Sequence, residues 1–160
     1  MSGLLGSILR RKLKTYGSPN ITSSHTFGFL IDETDPVISS YLEELERHPF
    51  FRSDSKKLSF RKKETPHKYE YSYLKEELPF TKWPIQKEVE NFIEHRYTYF
   101  FPLIRNWKNH HEVICRLVNA DIKFAEAHGQ EYINWNICIN KEMENPIEFL
   151  TFAKTFISNI

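Results

Sequence analysis

The run Glu112-Val113-Ile114-Cys115-Arg116-Leu117 changes the rhythm of the chain. Val113, Cys115 and Leu117 alternate with Glu112, Ile114 and Arg116, a period of two that fits a strand and not the 3.6 of a helix. Ile122 and Phe124 continue it into a next strand, and Ala127-His128-Gly129-Gln130 reads as a turn. Beyond the turn Ile133, Trp135, Ile137 and Ile139 share one face, while Asn134, Asn136, Cys138 and Asn140 share the other. Alternation of this kind belongs to strands with one buried and one wet face. Strands that succeed one another across short links pair antiparallel, so this half of the chain predicts an antiparallel sheet.

Working toward the amino terminus, Leu58 and Phe60, then Tyr69, Tyr71 and Tyr73, alternate on either side of Thr65-Pro66, which predicts a hairpin. Helices are expected at three places. Asp35-Pro36 supplies an N-cap and a first-turn proline ahead of Ile38, Tyr41, Leu42 and Leu45, and Pro49 closes that helix. A second runs from Trp83-Pro84 to about Phe100 on a stripe of Ile85, Val89, Phe92, Ile93 and Phe100. A third opens at Asn145-Pro146-Ile147-Glu148, a capping box with proline added, and turns Ile147, Leu150, Ala153, Phe156 and Ile157 inward, with Phe149 and Phe152 widening the face. The expectation is a single compact α+β domain over residues 32–160, with an antiparallel sheet and about three helices, preceded by a flexible arm over residues 1–31.

Composition separates the same two parts. The 160 residues carry a formal charge of +1, but the arm holds Arg10, Arg11, Lys12 and Lys14 with no acid and is +4, which leaves −3 on the rest. Four of the five glycines lie in the arm and only Gly129 lies beyond it. The body therefore has no glycine-rich phosphate cradle. The longest apolar run, Tyr99 to Ile104, contains Pro102 and is too short to span a bilayer. Two cysteines, Cys115 and Cys138, cannot form a disulfide scaffold or a four-thiolate zinc site. His111-Glu112 lacks the second histidine of a zinc-protease helix, because Cys115 stands there. If 110–117 is a strand, His110 and His111 point to opposite faces and do not converge. No nucleophile elbow is present. The reading is a protein without catalytic residues, cofactor or metal.

Charge then marks two surfaces. Leu4, Leu5, Ile8, Leu9 and Leu13 form one face of an amphipathic segment whose other faces hold Arg10, Arg11, Lys12 and Lys14. Such a segment suits an anionic membrane surface, a mitochondrial targeting role or a solubilising tail. A second segment, with Arg52, Lys56, Lys57, Arg61, Lys62, Lys63 and Lys68 against Asp54 and Glu64, is +5 over 17 residues. On a hairpin these side chains would meet phosphates of lipid or RNA, or serve to keep an edge strand soluble.

The order of these elements resembles the matrix proteins of rhabdoviruses. The similarity is carried by the basic, greasy amino terminus, the Ser/Pro-containing arm, the aromatic strand at 68–75, Leu78-Pro79-Phe80 and a helix through His95. It continues through the hydrophobic element 113–118 and the alternating strand that leads to Asn145-Pro146. The Pro-Pro-x-Tyr and Pro-Thr/Ser-Ala-Pro motifs of many such proteins are absent. The resemblance implies a non-enzymatic structural protein of the virion and of the cytoplasmic face of host membranes. It would bind an anionic membrane, self-associate as a homo-oligomer and link membrane to the viral nucleocapsid. Self-association would fall to Phe27, Phe29, Leu30 and Ile31. Two other classes fit the same residues: a mitochondrial accessory subunit with a targeting segment, and a small module that binds RNA or a host factor through the basic hairpin.

Overall fold

The computed structural model describes residues 25–77, 86–126, 136–139 and 143–158. Its strands are β1 (Phe27–Asp32), β2 (Ser55–Arg61), β3 (Tyr71–Leu74), β4 (Arg96–Leu103), β5 (Asn119–Glu126) and β6 (Ile137–Ile139). Its α-helices are α1 (Pro36–Ser40), α2 (Leu42–Arg47), α3 (Pro49–Arg52), α4 (Lys87–Glu94), α5 (Asn109–Leu117) and α6 (Pro146–Ser158). The strands form one sheet in the order β3-β2-β1-β4-β5-β6. Every neighbouring pair is parallel, with Leu30 opposite Leu58 on one side and Pro102 on the other.

This corrects the expected α+β domain with an antiparallel sheet and about three helices: the chain is α/β. The cause lies in residues 112–117, whose alternation predicts a strand. Residues 109–117 are a helix whose buried positions are His110, His111, Ile114 and Cys115, a helical spacing, whereas Val113 and Leu117 are exposed. A helix between β4 and β5 is the crossover that parallel pairing requires. The basic hairpin is corrected in the same way. β2 and β3 run in the same direction, Leu58 beside Tyr71, and residues 62–70 carry the chain back between them.

β1 is strand because Phe27, Phe29, Leu30 and Ile31 are strand-forming residues with both faces covered. It spans the boundary expected between residues 31 and 32. On one face its odd positions meet α1, α2, α3 and α6. Phe27 stacks on Phe50 at 4.6 Å, Phe29 lies 4.3 Å from Phe51, and Phe101 stacks on Phe124 at 4.8 Å. A row of aromatic rings thus crosses β1, β4 and β5, each fully buried ring contributing roughly 1.5–3 kcal/mol of burial. On the other face Leu30, Phe60, Tyr73 and Tyr97 meet Val89 and Phe92 of α4 and Ile114 and Cys115 of α5. The result is a three-layer sandwich.

Two local features shape the middle layer. The N–H groups of Thr98 and Tyr99 both donate to the Thr26 carbonyl, at 2.9 and 3.1 Å. This bulge shifts the alternation, so that Tyr97 and Phe100 share one core while Tyr99 and Phe101 share the other. Residue 28 is glycine because the ring of Tyr97 occupies the place of its missing side chain.

Helix ends follow the expected chemistry. Asp35 caps α1, its Oδ1 accepting from the N–H groups of Val37 (2.9 Å) and Ile38 (3.3 Å). Asn145 accepts from Glu148 N–H at 2.9 Å ahead of α6. α2 ends at Arg47 with His48 extended ahead of Pro49, as expected, and Pro49 also starts α3 at its first turn, with His48 as the cap.

Candidate functional site

In a parallel sheet all carboxyl ends lie at one edge, and ligands of α/β folds settle there, where the strand order reverses. Here the chain steps from β1 through β2 to β3, then returns past β1 to β4. Directly after β1 come Asp32, Glu33, Thr34 and Asp35. Alternation sends Asp32 toward α5 and Glu33 toward α1 and α2.

Asp32 is almost fully buried, and its Oδ2 lies 3.6 Å from Nε2 of His111. Its Oδ1 accepts from the backbone N–H (3.0 Å) and the hydroxyl (2.5 Å) of Thr34. The N–H of Lys108 donates to His111 Nδ1 at 3.1 Å, which leaves Nε2 as the protonated nitrogen of a neutral ring facing the carboxylate. Burial dominates both groups. It raises the carboxyl of Asp32, and it drives the imidazole of His111 far down, aided by His110 and Lys108. Each moves toward its neutral form, so desolvation outweighs their mutual attraction. His110 Nδ1 pairs with the Tyr73 hydroxyl at 2.8 Å, and the two histidine rings lie 4.0 Å apart. The histidines therefore converge, contrary to the strand reading, because they share a helix face. With His110 at 7% exposure and His111 at 0%, this group is a buried polar wall closed to solvent.

Glu33 is different. Its N–H donates to the Phe60 carbonyl at 2.9 Å, which extends the β1–β2 ladder and fixes the residue. Oε2 accepts from the Ser59 hydroxyl at 2.6 Å. Oε1 is buried and has no hydrogen-bond partner, although the residue is only 8% exposed. Glu33 lines a cleft of about 350 Å³ between Ser40 and Glu43 on one side and Thr65 and Lys68 on the other. Behind it the hydroxyl of Tyr69 is likewise buried without a partner. Burial suppresses the acidity of that phenol, and the charges of Glu33, Glu46 and Glu70 suppress it further. A buried carboxylate oxygen without a donor is a costly group that folding alone does not explain.

A larger apolar groove of about 650 Å³ follows the outer side of α6 past Ile147, Phe152 and Phe156, but its carboxylate, Glu148, is not buried as Glu33 is. Among the described residues no group of three His, Cys, Asp or Glu side chains is placed to hold a metal ion, and no helix is long and apolar enough to cross a membrane.

The residues singled out by charge and pattern distribute as follows. Leu4, Leu5, Ile8, Leu9, Arg10, Arg11, Lys12, Leu13 and Lys14 lie outside the described residues. So do Leu78 to Phe80, Ala127 to Gln130 and Ile133 to Trp135. The basic segment does not form one face. Lys57 donates to the Phe51 carbonyl (3.2 Å) and lies over the Phe51 ring, and burial lowers its pKa. Arg61 donates to Ser72 Oγ and to the Thr65 carbonyl, both at 3.1 Å. Lys68 pairs with Glu46 at 3.7 Å. Lys56 is partly buried, and Arg52, Lys62 and Lys63 are exposed. Phe27, Phe29, Leu30 and Ile31 are fully buried in the central strand, where they offer no surface to a second copy.

Sequence reading passed over Asp32 and Glu33 because the arm was taken to end beside them. The available signal was an apolar run, Phe27 to Ile31, ending in adjacent acids and a helix cap, which is how a buried parallel strand meets a ligand-bearing loop.

The chain matches no family model, no curated protein and no solved structure.

Proposed function

We propose that this α/β domain binds a small polar ligand in the cleft at the carboxyl ends of β1 and β2, with Glu33 as its anchor. The observation that carries the reading is the Glu33 carboxylate. It is held in place by the strand ladder and by Ser59, its side chain lines a cleft, and one of its oxygens is buried without a donor. Pockets for small molecules combine a formed cavity with a few fixed polar groups, and this cleft lies at the carboxyl edge of the sheet, on the β1–β2 side of the point where the strand order reverses. The test is a fragment screen by amide NMR on the full chain. Shifts clustering at Glu33, Ser40, Thr65 and Lys68 support the reading, and hits scattered over the surface or absent overturn it.

A second reading starts from charge. The +4 arm with its aliphatic face, together with the exposed Arg52, Lys62 and Lys63, supports a non-enzymatic, matrix-type protein at an anionic membrane surface. Liposome flotation of the chain with and without residues 1–16 decides it. Recovery of both with neutral and anionic vesicles alike in the unbound fraction removes this reading.

A further inference from the structure

We infer that the Glu33 cleft selects a small organic cation, a molecule bearing a primary ammonium or guanidinium group; this rests on reading the cleft as a ligand site. The strand order is that of dinucleotide-binding sheets, in which the turn after the first strand is glycine-rich and cradles phosphate. This chain inverts the chemistry of that turn. Asp32, Glu33 and Asp35 stand there, with no glycine. The N–H groups that open α1 are also already taken, because the Asp35 carboxylate accepts from Val37 and Ile38. A phosphate would meet carboxylates and find no free amide cradle.

The charges around the cleft point the same way. Glu33 lines its interior and Glu43 also borders it. Lys68 is the lining cation, and it is engaged with Glu46. The phenol of Tyr69 is disfavoured as an anion first by burial and then by the same negative surroundings, Glu33, Glu46 and Glu70. Oε1 of Glu33 lacks a donor while Oε2 holds one from Ser59. A cationic N–H donor in the cleft, met by a turn of the Glu33 side chain, supplies that missing hydrogen bond in its charge-assisted form, about twice as strong as a neutral one. A volume of about 350 Å³ sits at the small end of ligand pockets and admits an amine or guanidine without a nucleotide's bulk.

The experiment compares three probes at fixed ionic strength: methylguanidinium chloride, its neutral isostere methylurea, and inorganic phosphate. Each is titrated into the full chain while amide shifts at Glu33, Ser40 and Thr65 are followed. Methylguanidinium should saturate these shifts, methylurea should bind at least about tenfold more weakly, and phosphate should leave them unmoved. Glu33→Gln should lose about tenfold in methylguanidinium affinity. Because Glu33 is buried, Glu43→Gln serves as an exposed companion, with a loss of about twofold to threefold expected. Equal binding of methylurea, or binding of phosphate, overturns the cationic assignment and leaves the cleft standing as a ligand site. No shift from any probe, together with a fragment screen that finds none, overturns both. An adventitious ion effect shows itself as methylguanidinium shifts that survive unchanged in both variants, and that also overturns the assignment.

Discussion

The ring of Tyr97 fills the space in which residue 28 would carry a side chain: a β-carbon built on Gly28 lies 2.9 Å from Tyr97 Cγ. The ring cannot step aside. It is fully buried, and its hydroxyl donates to the Phe92 carbonyl at 2.7 Å, so it joins β4 to the end of α4. Gly28→Ala should therefore destabilise the domain by about 1–3 kcal/mol, the range for overpacking a dense core. Urea denaturation measures it, and a midpoint equal to the wild type would show that the strand spacing adapts.

Tyr73→Phe removes the hydroxyl that pairs with His110 Nδ1 at 2.8 Å deep in the second core. The shape of the ring is kept, so the loss isolates the polar contact. A decrease of about 1–3 kcal/mol is expected, readable as a lower melting temperature.

Acid should weaken the fold. Burial holds His48 and His110 neutral, each with its pKa lowered from 6.5 to about 4. In His48 the neutral ring also accepts from Phe50 N–H to cap α3. Between those values the unfolded chain binds more protons than the folded one. Stability is then complete above about 6.5 and declines as pH falls toward 4. His111, pushed lower still, carries the decline further. Asp32 acts in the opposite sense, because its raised carboxyl takes up its proton first in the folded state and so adds stability in acid that is lost as pH rises. Three histidines outweigh one aspartate. A urea midpoint that holds level from pH 6.5 to 4 would contradict this balance.

The two thiols should separate cleanly. Cys115 is fully buried in α5 and its thiol is pushed far up by that burial, whereas Cys138 in β6 is partly exposed. Ellman's reagent should label one thiol in the native protein and the second only in denaturant. Rapid labelling of both in buffer would mean that α5 opens readily.

Glu33→Gln should raise the unfolding free energy by about 1 kcal/mol in the absence of ligand, read as a higher urea midpoint, because it removes a buried carboxylate while keeping an oxygen for the Ser59 hydroxyl. Residues retained for binding commonly cost stability in this way. A destabilised variant would assign Glu33 to the fold.

Individual helix signals were legible in the sequence, and the direction of the strands was not. Asp35-Pro36 and Asn145-Pro146 announce their helices through side-chain caps that need only local chain. Strand pairing is a property of what lies between strands, and that was misread at 109–117, where a short window fits two periods. Val113, Cys115 and Leu117 alternate, yet His110, His111, Ile114, Cys115 and Val118 are the buried set. β4 failed for a related reason. Tyr97, Thr98, Tyr99, Phe100 and Phe101 are all buried, so no alternation shows, and the helix expected to run to about Phe100 stops at Glu94, where the strand takes over. The site inherited these errors. Glu33 gains meaning only once β1 is a central strand with a carboxyl end.

The direction of β1 also sets the start of the described chain apart from the Glu33 cleft. The chain enters the sheet at Phe27 and reaches the cleft at Glu33, six residues later, about 20 Å along a strand. β1 therefore begins at the pole opposite the Glu33 cleft. A protein held to an anionic surface near Phe27 would turn the Glu33 cleft outward, toward free solution, so that tethering at one pole and ligand exchange at the other need not compete.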